Sequence, residues 1–196
     1  MEITNLRIYD MYESIVASGL PMMAEYNKEW IADEIKNLEE CKDITENPHF
    51  QRAVRLSNTP QGSGHSNWLS GVVVSMDVTA TVKWWEQFQR YHFKQIVSSQ
   101  STMHRLKEML KNGTAKFNDK VGECFIAAME IIAGNNADDE TLAYCCPMGL
   151  ELTARITTNY LQLKTIKMQR KNHRLAEWKT FIEQIDSLPF AEEFIG

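Results

Sequence analysis

The residues best suited to chemistry are concentrated between His65 and Arg105. Three of the five histidines of the chain lie in this segment: His65, His92 and His104. A run of serine and threonine at 98–102 supplies small hydroxyl groups beside Arg90 and Arg105. Hydroxyls and guanidinium groups are the donors with which proteins commonly hold a phosphate. The segment therefore predicts a site for a nucleotide or another phosphate-bearing ligand.

Arg90 stands out within the aromatic run of residues 84–93. An arginine whose aromatic neighbours exclude water normally has a fixed anionic partner, and only Glu86 lies near it in sequence. A bound ligand is therefore one interpretation. The other is that the aromatics form core and Arg90 is an ordinary surface charge. Two of the histidines also have structural interpretations. His65 would be a turn residue, and His92 would be a hydrogen-bonded core residue.

The composition narrows the class of protein. The chain has 196 residues, of which 43% are hydrophobic, and this suits one domain spanning 1–196. A net charge of -5 argues against binding duplex nucleic acid, which needs a broad basic face. The charged N-terminal stretch and the lack of a long apolar run predict a soluble, cytoplasmic protein without a membrane span.

The four cysteines form no metal motif. Cys41, Cys124, Cys145 and Cys146 include no CxxC pair, and two adjacent thiolates fit a tetrahedral zinc poorly. We expect buried free thiols and no metal site. No serine or cysteine stands in a recognisable nucleophile motif, so covalent catalysis by the protein has no support.

The periodicity of apolar residues predicts the elements that must position these groups. Residues 57–64 form a polar loop, residues 72–78 a strand, and residues from about 80 to 97 a helix. Further helical segments are predicted from the same kind of spacing. An amphipathic segment ends at 19–21, and residues 22–56 show helical spacing. Short helices are predicted at 104–110 and 138–144, an apolar helix at 121–133, and two more helices within 150–188. The basic run at 164–174 is either a solvated helix face or an anion site that Arg170 completes. The fold class is α+β, mainly helical with a small sheet.

The order of these segments resembles a known family. Three segments follow one another without a gap in the match: His65-Ser66-Asn67, the strand, and Gln87 to His92. Later in the chain, Asn159 and Arg170 stand eleven residues apart. The flavin-dependent thymidylate synthases have a similar histidine turn, a strand, a helix with Gln, two residues and an Arg-His-Arg triplet, and a similarly spaced late asparagine and arginine. Residues 52–57 are similar to the early Ala-Arg-Val-Ser stretch of that family.

The resemblance implies a fold with a small antiparallel or mixed sheet and a homotetramer whose sites form between chains. FAD would carry the redox chemistry, with reduced nicotinamide and methylene-tetrahydrofolate as co-substrates in methyl transfer to C5 of dUMP. By the same resemblance Arg170 would be catalytic and polarise the uracil carbonyl. The nucleotide contacts would be Gln87, Arg90, Ser101, Arg105 and Arg170, the serine and Arg105 at its phosphate. The flavin contacts would be His65, Asn67, His92 and Asn159.

The chain also departs from the pattern of the family. Tyr91 and His92 replace the last two residues of the triplet, and Ala143 and Leu161 stand where the family has arginines. Three hypotheses follow. The chain acts on a pyrimidine deoxynucleotide by flavin-dependent one-carbon transfer or a related modification, or it binds a nucleotide without catalysis to sequester or sense it, or it is a purely structural oligomer.

Overall fold

A computed structural model describes residues 1–60 and 62–196. Gln61, in the predicted loop, lies outside the described residues. The strands are β1 Glu2–Tyr9, β2 Val73–Thr81, β3 Gln95–Ser99 and β4 Glu151–Asn159. The helices are α1 Met11–Ala17, α2 Lys28–Glu40, α3 Pro48–Ser57, α4 Val82–Phe88, α5 Thr102–Lys111, α6 Glu123–Gly134, α7 Asp139–Cys145, α8 Tyr160–Arg170, α9 Ala176–Asp186 and α10 Ala191–Phe194. Short 3-10 helices cover Leu20–Met22 and His65–Ser70. The mainly helical α+β class is confirmed.

The four strands form one sheet in the order β1-β2-β4-β3. Hydroxyl pairs join β2 to β4: Ser75 bonds Thr157 at 2.9 Å, and Thr79 bonds Thr153 at 2.7 Å. Between these two pairs the residue number increases along β2 and decreases along β4, so the two strands are antiparallel. Alternate residues of β2, among them Val74, Met76 and Val78, are buried on the opposite face, as the period of two in a strand requires.

The chain divides into two compact units. The first unit comprises residues 1–5 and 76–156, and the second unit comprises residues 6–75 and 157–196. Strands β2 and β4 each contribute residues to both units. The expected organisation as a single domain stays a prediction.

Each unit has its own buried apolar cluster. In the first unit, α5, α6, α7 and the residue before β4 contribute Leu106, Leu110, Met129, Ala133, Leu142 and Leu150. In the second unit, the ring of Phe50 packs against Phe190 and Phe194 with centroids 5.0 and 5.2 Å away. Trp178 and Phe181 of α9 are fully buried there. These clusters hold the helices that carry the predicted site residues.

The helix predicted from 80 to 97 is wrong in its second half. Helix α4 ends at Phe88, and residues 95–99 form the edge strand β3. The apolar spacing that suggested a continuing helix relied on Phe93 and Val97, which are 71% and 57% exposed. β-branched Ile96 and Val97 favour a strand once a partner is available, and β4 is that partner in the sheet.

The two helices predicted within 150–188 are correct only from residue 160 onward. Residues 151–159 form β4, whose sequence ELTARITTN is rich in β-branched residues and alternates in burial. The strand β1 also lacked a sequence prediction. Both strands depend on partners distant along the chain, and their sequences alone resemble other short apolar stretches.

Candidate functional site

A cleft of about 390 Å³ lies in the first unit beside α4 and the start of α5. Its lining includes both apolar and polar side chains: Val82, Trp85, Glu86, Gln89, Ile96, Ser99, Gln100, Thr102, Met148, Leu152 and Ala154. A volume of this size suits a small molecule. Apart from Glu86, its polar side chains are neutral hydroxyls and carboxamides, and such groups can pair with the carbonyl and N–H edge of a heterocyclic ring.

Hydrogen bonds to the backbone fix the walls of the cleft. The Thr81 hydroxyl accepts from the Trp84 N–H at 3.2 Å and caps α4. The Trp85 indole N–H donates to the Leu152 carbonyl at 3.0 Å, which ties α4 to β4. On the β3 side, the Gln100 side-chain oxygen accepts from the Thr153 N–H at 2.8 Å. That oxygen is committed to the sheet, so Gln100 offers a ligand its N–H groups.

Glu86, the carboxylate among the described lining residues of the cleft, has a cationic neighbour. Glu86 forms an ion pair with Lys83 at 2.7 Å, and both side chains are at least half exposed. Solvent and the lysine therefore reduce its repulsion of an anionic ligand.

The predicted nucleotide residues of the first unit lie on or next to α4 and α5, and none of them lines the cleft. Gln87 is half-buried on α4, and Arg90 follows the helix in a turn where its N–H donates to the Gln87 carbonyl at 3.4 Å. Arg90 is exposed, so the interpretation that aromatic neighbours desolvate it is wrong. The chain leaves the helix at Gln89, and the side chain of Arg90 no longer follows the buried face of α4. An exposed guanidinium needs no protein anion and remains accessible to a ligand.

Tyr91 and His92 occupy opposite environments. Tyr91 is buried, and its ring centroid lies 6.2 Å from that of Phe88. His92 is exposed, so the alternative interpretation of it as a core histidine is wrong.

Ser101 and Arg105 lie in the first turn of α5. Ser101 is its N-cap, and the hydroxyl accepts from the His104 N–H at 3.3 Å. The side chain of Arg105 is exposed and forms an ion pair with Glu108 one turn later. Thr102, the first residue of α5, lines the cleft. Backbone N–H groups at a helix start favour an anion, so this edge of the cleft is suited to a phosphate.

The remaining predicted residues lie in the second unit. His65 and Asn67 are exposed in the 3-10 helix His65–Ser70. Asn159 caps α8, because its side-chain oxygen accepts from the Gln162 N–H at 2.9 Å. Arg170 ends the same helix and lies over the Trp178 ring, 4.7 Å from the centroid. A guanidinium on an aromatic face is held in orientation.

His173 follows Arg170 closely and packs against the same tryptophan, with ring centroids 6.2 Å apart. Its Nδ1 accepts from the Leu175 N–H at 3.1 Å. Burial, with a smaller effect from Arg170, lowers the pKa of His173 below its ordinary value. The neutral imidazole is therefore the form that the fold favours.

The sequence did not single out several residues that line the cleft. Trp85 was interpreted only as a core aromatic, and Gln89, Gln100 and Met148 were given no role. Their common signal is weak, because they come together through the pairing of β3 with β4. Among the residues that the structure describes, no group of three His, Cys, Asp or Glu is arranged to hold a metal.

The expectation of buried thiols is wrong for three cysteines. Cys41, Cys124 and Cys145 are exposed, and only Cys146 is half-buried. Helix α6, which carries Cys124, buries little more than Met129 and Ala133, so its apolar composition did not imply burial. Burial raises the pKa of the Cys146 thiol to about 11.

No helix in the described parts of the chain has the length and apolar character needed to span a membrane.

Comparison with solved structures defines the class of fold: it is that of the flavin-dependent thymidylate synthases. The structure of the enzyme ThyX from Helicobacter pylori complexed with FAD and dUMP has a TM-score of 0.72 at 15% identity, over 99% of this chain and 98% of that one. A second structure of that enzyme with FAD and dUMP has a TM-score of 0.68 at 15% identity, over 100% and 97%.

The UMP/dUMP methylase PolB from Streptomyces cacaoi, bound with 5-Br dUMP, has a TM-score of 0.61 at 13% identity, over 95% and 89%. No family model matches the sequence, and no curated protein matches it either. At these identities the likeness establishes the fold, and it confirms the family resemblance of the sequence at that level.

Proposed function

We propose that this protein binds a pyrimidine deoxynucleotide, with dUMP as the reference ligand. The observation that carries the proposal is the match in fold over nearly the whole of both chains to an enzyme complexed with dUMP. The cleft beside α4 and α5 supports it by proximity: Gln87 lies in α4 and Arg90 just after it, and Ser101 caps α5, which carries Arg105, although none of the four lines the cleft.

The proposed roles follow the chemistry of each group. The phosphate binds at the start of α5 with Ser101 and Arg105, where the helix dipole and exposed N–H groups favour an anion. Gln87 contacts the rest of the nucleotide from α4, and Arg90 from the turn after it. Arg170, oriented by the Trp178 ring, polarises a uracil carbonyl if the protein modifies the base.

The enzymatic form of the proposal is flavin-dependent one-carbon transfer to C5 of dUMP, or a related modification. FAD would supply the electron transfer, reduced nicotinamide the electrons and methylene-tetrahydrofolate the carbon. The assembly would be a homotetramer with sites between chains, about four times the 22.6 kDa of one chain.

One observation favours a second candidate, a nucleotide-binding protein without flavin. The side chains proposed for the flavin, His65, Asn67, His92 and Asn159, bring no permanent positive charge to the diphosphate of FAD, which charge-assisted donors bind most strongly. The Asn159 oxygen is already used as a helix cap. Tyr91, at the second position of the triplet, is buried. These residues fit FAD poorly, so we assign no reaction step to it. Such a protein would sequester or sense the nucleotide.

Calorimetric titration tests the binding. We expect dUMP to bind, with dTMP, dCMP and UMP as comparison ligands, and Arg90→Gln to weaken dUMP binding by about tenfold or more, the cost of one charge-assisted bond. Arg7→Gln, an exposed arginine of β1, is the control. Absence of binding to every nucleotide would reject the proposal and support the third hypothesis, a structural oligomer, for which Arg90→Ala and Arg170→Ala change nothing but stability.

A visible spectrum of the purified protein and an assay of dUMP-dependent oxidation of reduced nicotinamide separate the two forms. Bound flavin with turnover supports the enzyme. Tight dUMP binding by colourless protein without turnover, after incubation with FAD, rejects the enzyme and supports the binding protein.

A further inference from the structure

A second cavity, of about 320 Å³, lies wholly in the second unit and contains none of the residues predicted for the nucleotide. Its walls are the end of α3, one face of α8 and the last residues of the chain. The lining residues are Ser57, Asn58, Thr59, Lys164, Lys167, Met168, Lys171, Ile195 and Gly196.

Three lysines share one wall of this cavity. Lys164, Lys167 and Lys171 are three and four residues apart, so the helical period brings their side chains to one side of α8. Like charges at this spacing repel each other. In agreement, the pKa of Lys164 is lowered, by burial and by the neighbouring Lys167.

The structural partners of these lysines use only part of their hydrogen-bonding capacity. The Lys164 ammonium donates to the carbonyls of Ser57 and Phe194 at 2.8 and 2.9 Å. Lys167 forms an ion pair with Asp186 at 2.7 Å. An ammonium has three donors, so one remains on Lys164 and two remain on Lys167. Lys171 is exposed and adds a third positive charge.

The uncharged polar groups of the cavity are engaged with the protein. The Ser57 hydroxyl donates to the Ala53 carbonyl at 2.9 Å, and the Thr59 hydroxyl donates to the Leu56 carbonyl at 2.8 Å. The Asn58 amide donates to the carbonyls of Val54 and Glu193 at 2.9 and 3.3 Å. The donors left for a ligand are therefore mainly ammonium groups. A cation near the end of α8 also suits the helix dipole, but that effect gives no reason for three of them around one cavity.

We propose that this lysine cavity is an anion site that takes a phosphoryl group. A phosphoryl dianion has three acceptor oxygens and matches several converging ammonium donors. Asp186 offsets one of the three positive charges, and the cavity lining keeps an excess of positive charge that favours an anion. The phosphoryl group belongs either to inorganic phosphate or to a phosphate ester such as a nucleotide.

Amide chemical shifts in the full-length protein test the proposal. Inorganic phosphate is titrated at constant ionic strength, with chloride as the comparison salt. We expect saturable shifts at residues 57–59 and 164–171. Lys171→Gln should weaken the binding by about tenfold or more, and Lys171→Arg should largely restore it. Lys179→Gln, an exposed lysine of α9, should leave it unchanged. Equal affinity of wild type and Lys171→Gln, or the lack of saturable shifts at these residues, overturns the proposal.

Titration of dUMP into the Arg90→Gln variant identifies the source of the phosphoryl group. If dUMP shifts the same amides in Arg90→Gln, and these shifts are lost in the double variant with Arg90→Gln and Lys171→Gln, the lysine cavity binds a nucleotide ester. Shifts produced by inorganic phosphate alone indicate free phosphate. Either result supports the site, and neither depends on whether the cleft of the first unit binds dUMP.

Discussion

One turn of backbone places three consecutive residues, Arg90, Tyr91 and His92, in different environments. The helix ends before them, so Arg90 and His92 are exposed while the tyrosine between them is buried against Phe88. The tyrosine at the second position of the triplet is therefore part of the core. The replacement of the family's histidine by Tyr91 therefore changes the packing of the first unit as well as the motif.

Tyr91→His, which introduces the residue of the family triplet, should destabilise the protein by about 1–3 kcal/mol. A smaller, polar imidazole in place of the phenol ring loses apolar burial and packing. Urea unfolding measures the difference. His92→Arg, at the exposed neighbour, should change the free energy of unfolding by less than about 0.5 kcal/mol. If both variants are neutral, Tyr91 is not core.

His173 makes the second unit sensitive to pH. Its pKa in the folded protein is lowered by burial and by Arg170, so the unfolded chain takes up its proton at a higher pH than the folded one. Stability from this residue is complete above the ordinary histidine pKa of about 6.5 and is lost as the pH falls below it. Protonation of Nδ1 also removes its bond with the Leu175 N–H.

We therefore expect a larger loss of unfolding free energy between pH 7.5 and 5.5 in wild type than in His173→Asn, whose side-chain oxygen can accept the same N–H. Denaturant unfolding at both values measures the difference. Identical losses in the two proteins would show that another group is responsible.

At the scale of the element, α5 depends on a cap that is also a proposed phosphate ligand. Ser101→Ala removes the acceptor for the His104 N–H and should cost about 1 kcal/mol. Ser101→Asn keeps a capping oxygen and should preserve stability. Comparing dUMP affinity in the two variants separates the cap from the hydroxyl. Loss of affinity in both assigns the hydroxyl to the ligand, and loss in the alanine variant alone assigns the effect to the cap.

Across the whole molecule, the cysteines divide into two classes. A thiol reagent at pH 8 should modify Cys41, Cys124 and Cys145 quickly, since they are exposed. Cys146 should react slowly, because burial raises its pKa to about 11 and leaves little thiolate. Counting reactive thiols before and after adding denaturant checks the division. Fast reaction of all four cysteines would contradict this division. Loss of the slowly reacting thiol in Cys146→Ser would assign that thiol to Cys146.

Local patterns in the sequence were enough to predict the fold class, the strand near 72–78 and most helices, and they also suggested the candidate residues on or next to α4, α5 and α8. These features depend on local periodicity, caps and short motifs, which neighbouring residues express directly. The Gly113 turn after α5, with a φ of 65°, is one such local feature.

The tertiary structure alone decided β3, β4 and the exposure of Arg90, His92 and three cysteines. Strand pairing and burial depend on residues far apart in the chain, and the same apolar segment suits a helix or a strand until a partner is present. The two cavities have the same origin. The cleft needs β3 beside β4, and the lysine cavity needs the ends of α3 and of the chain beside α8, contacts that no local pattern encodes.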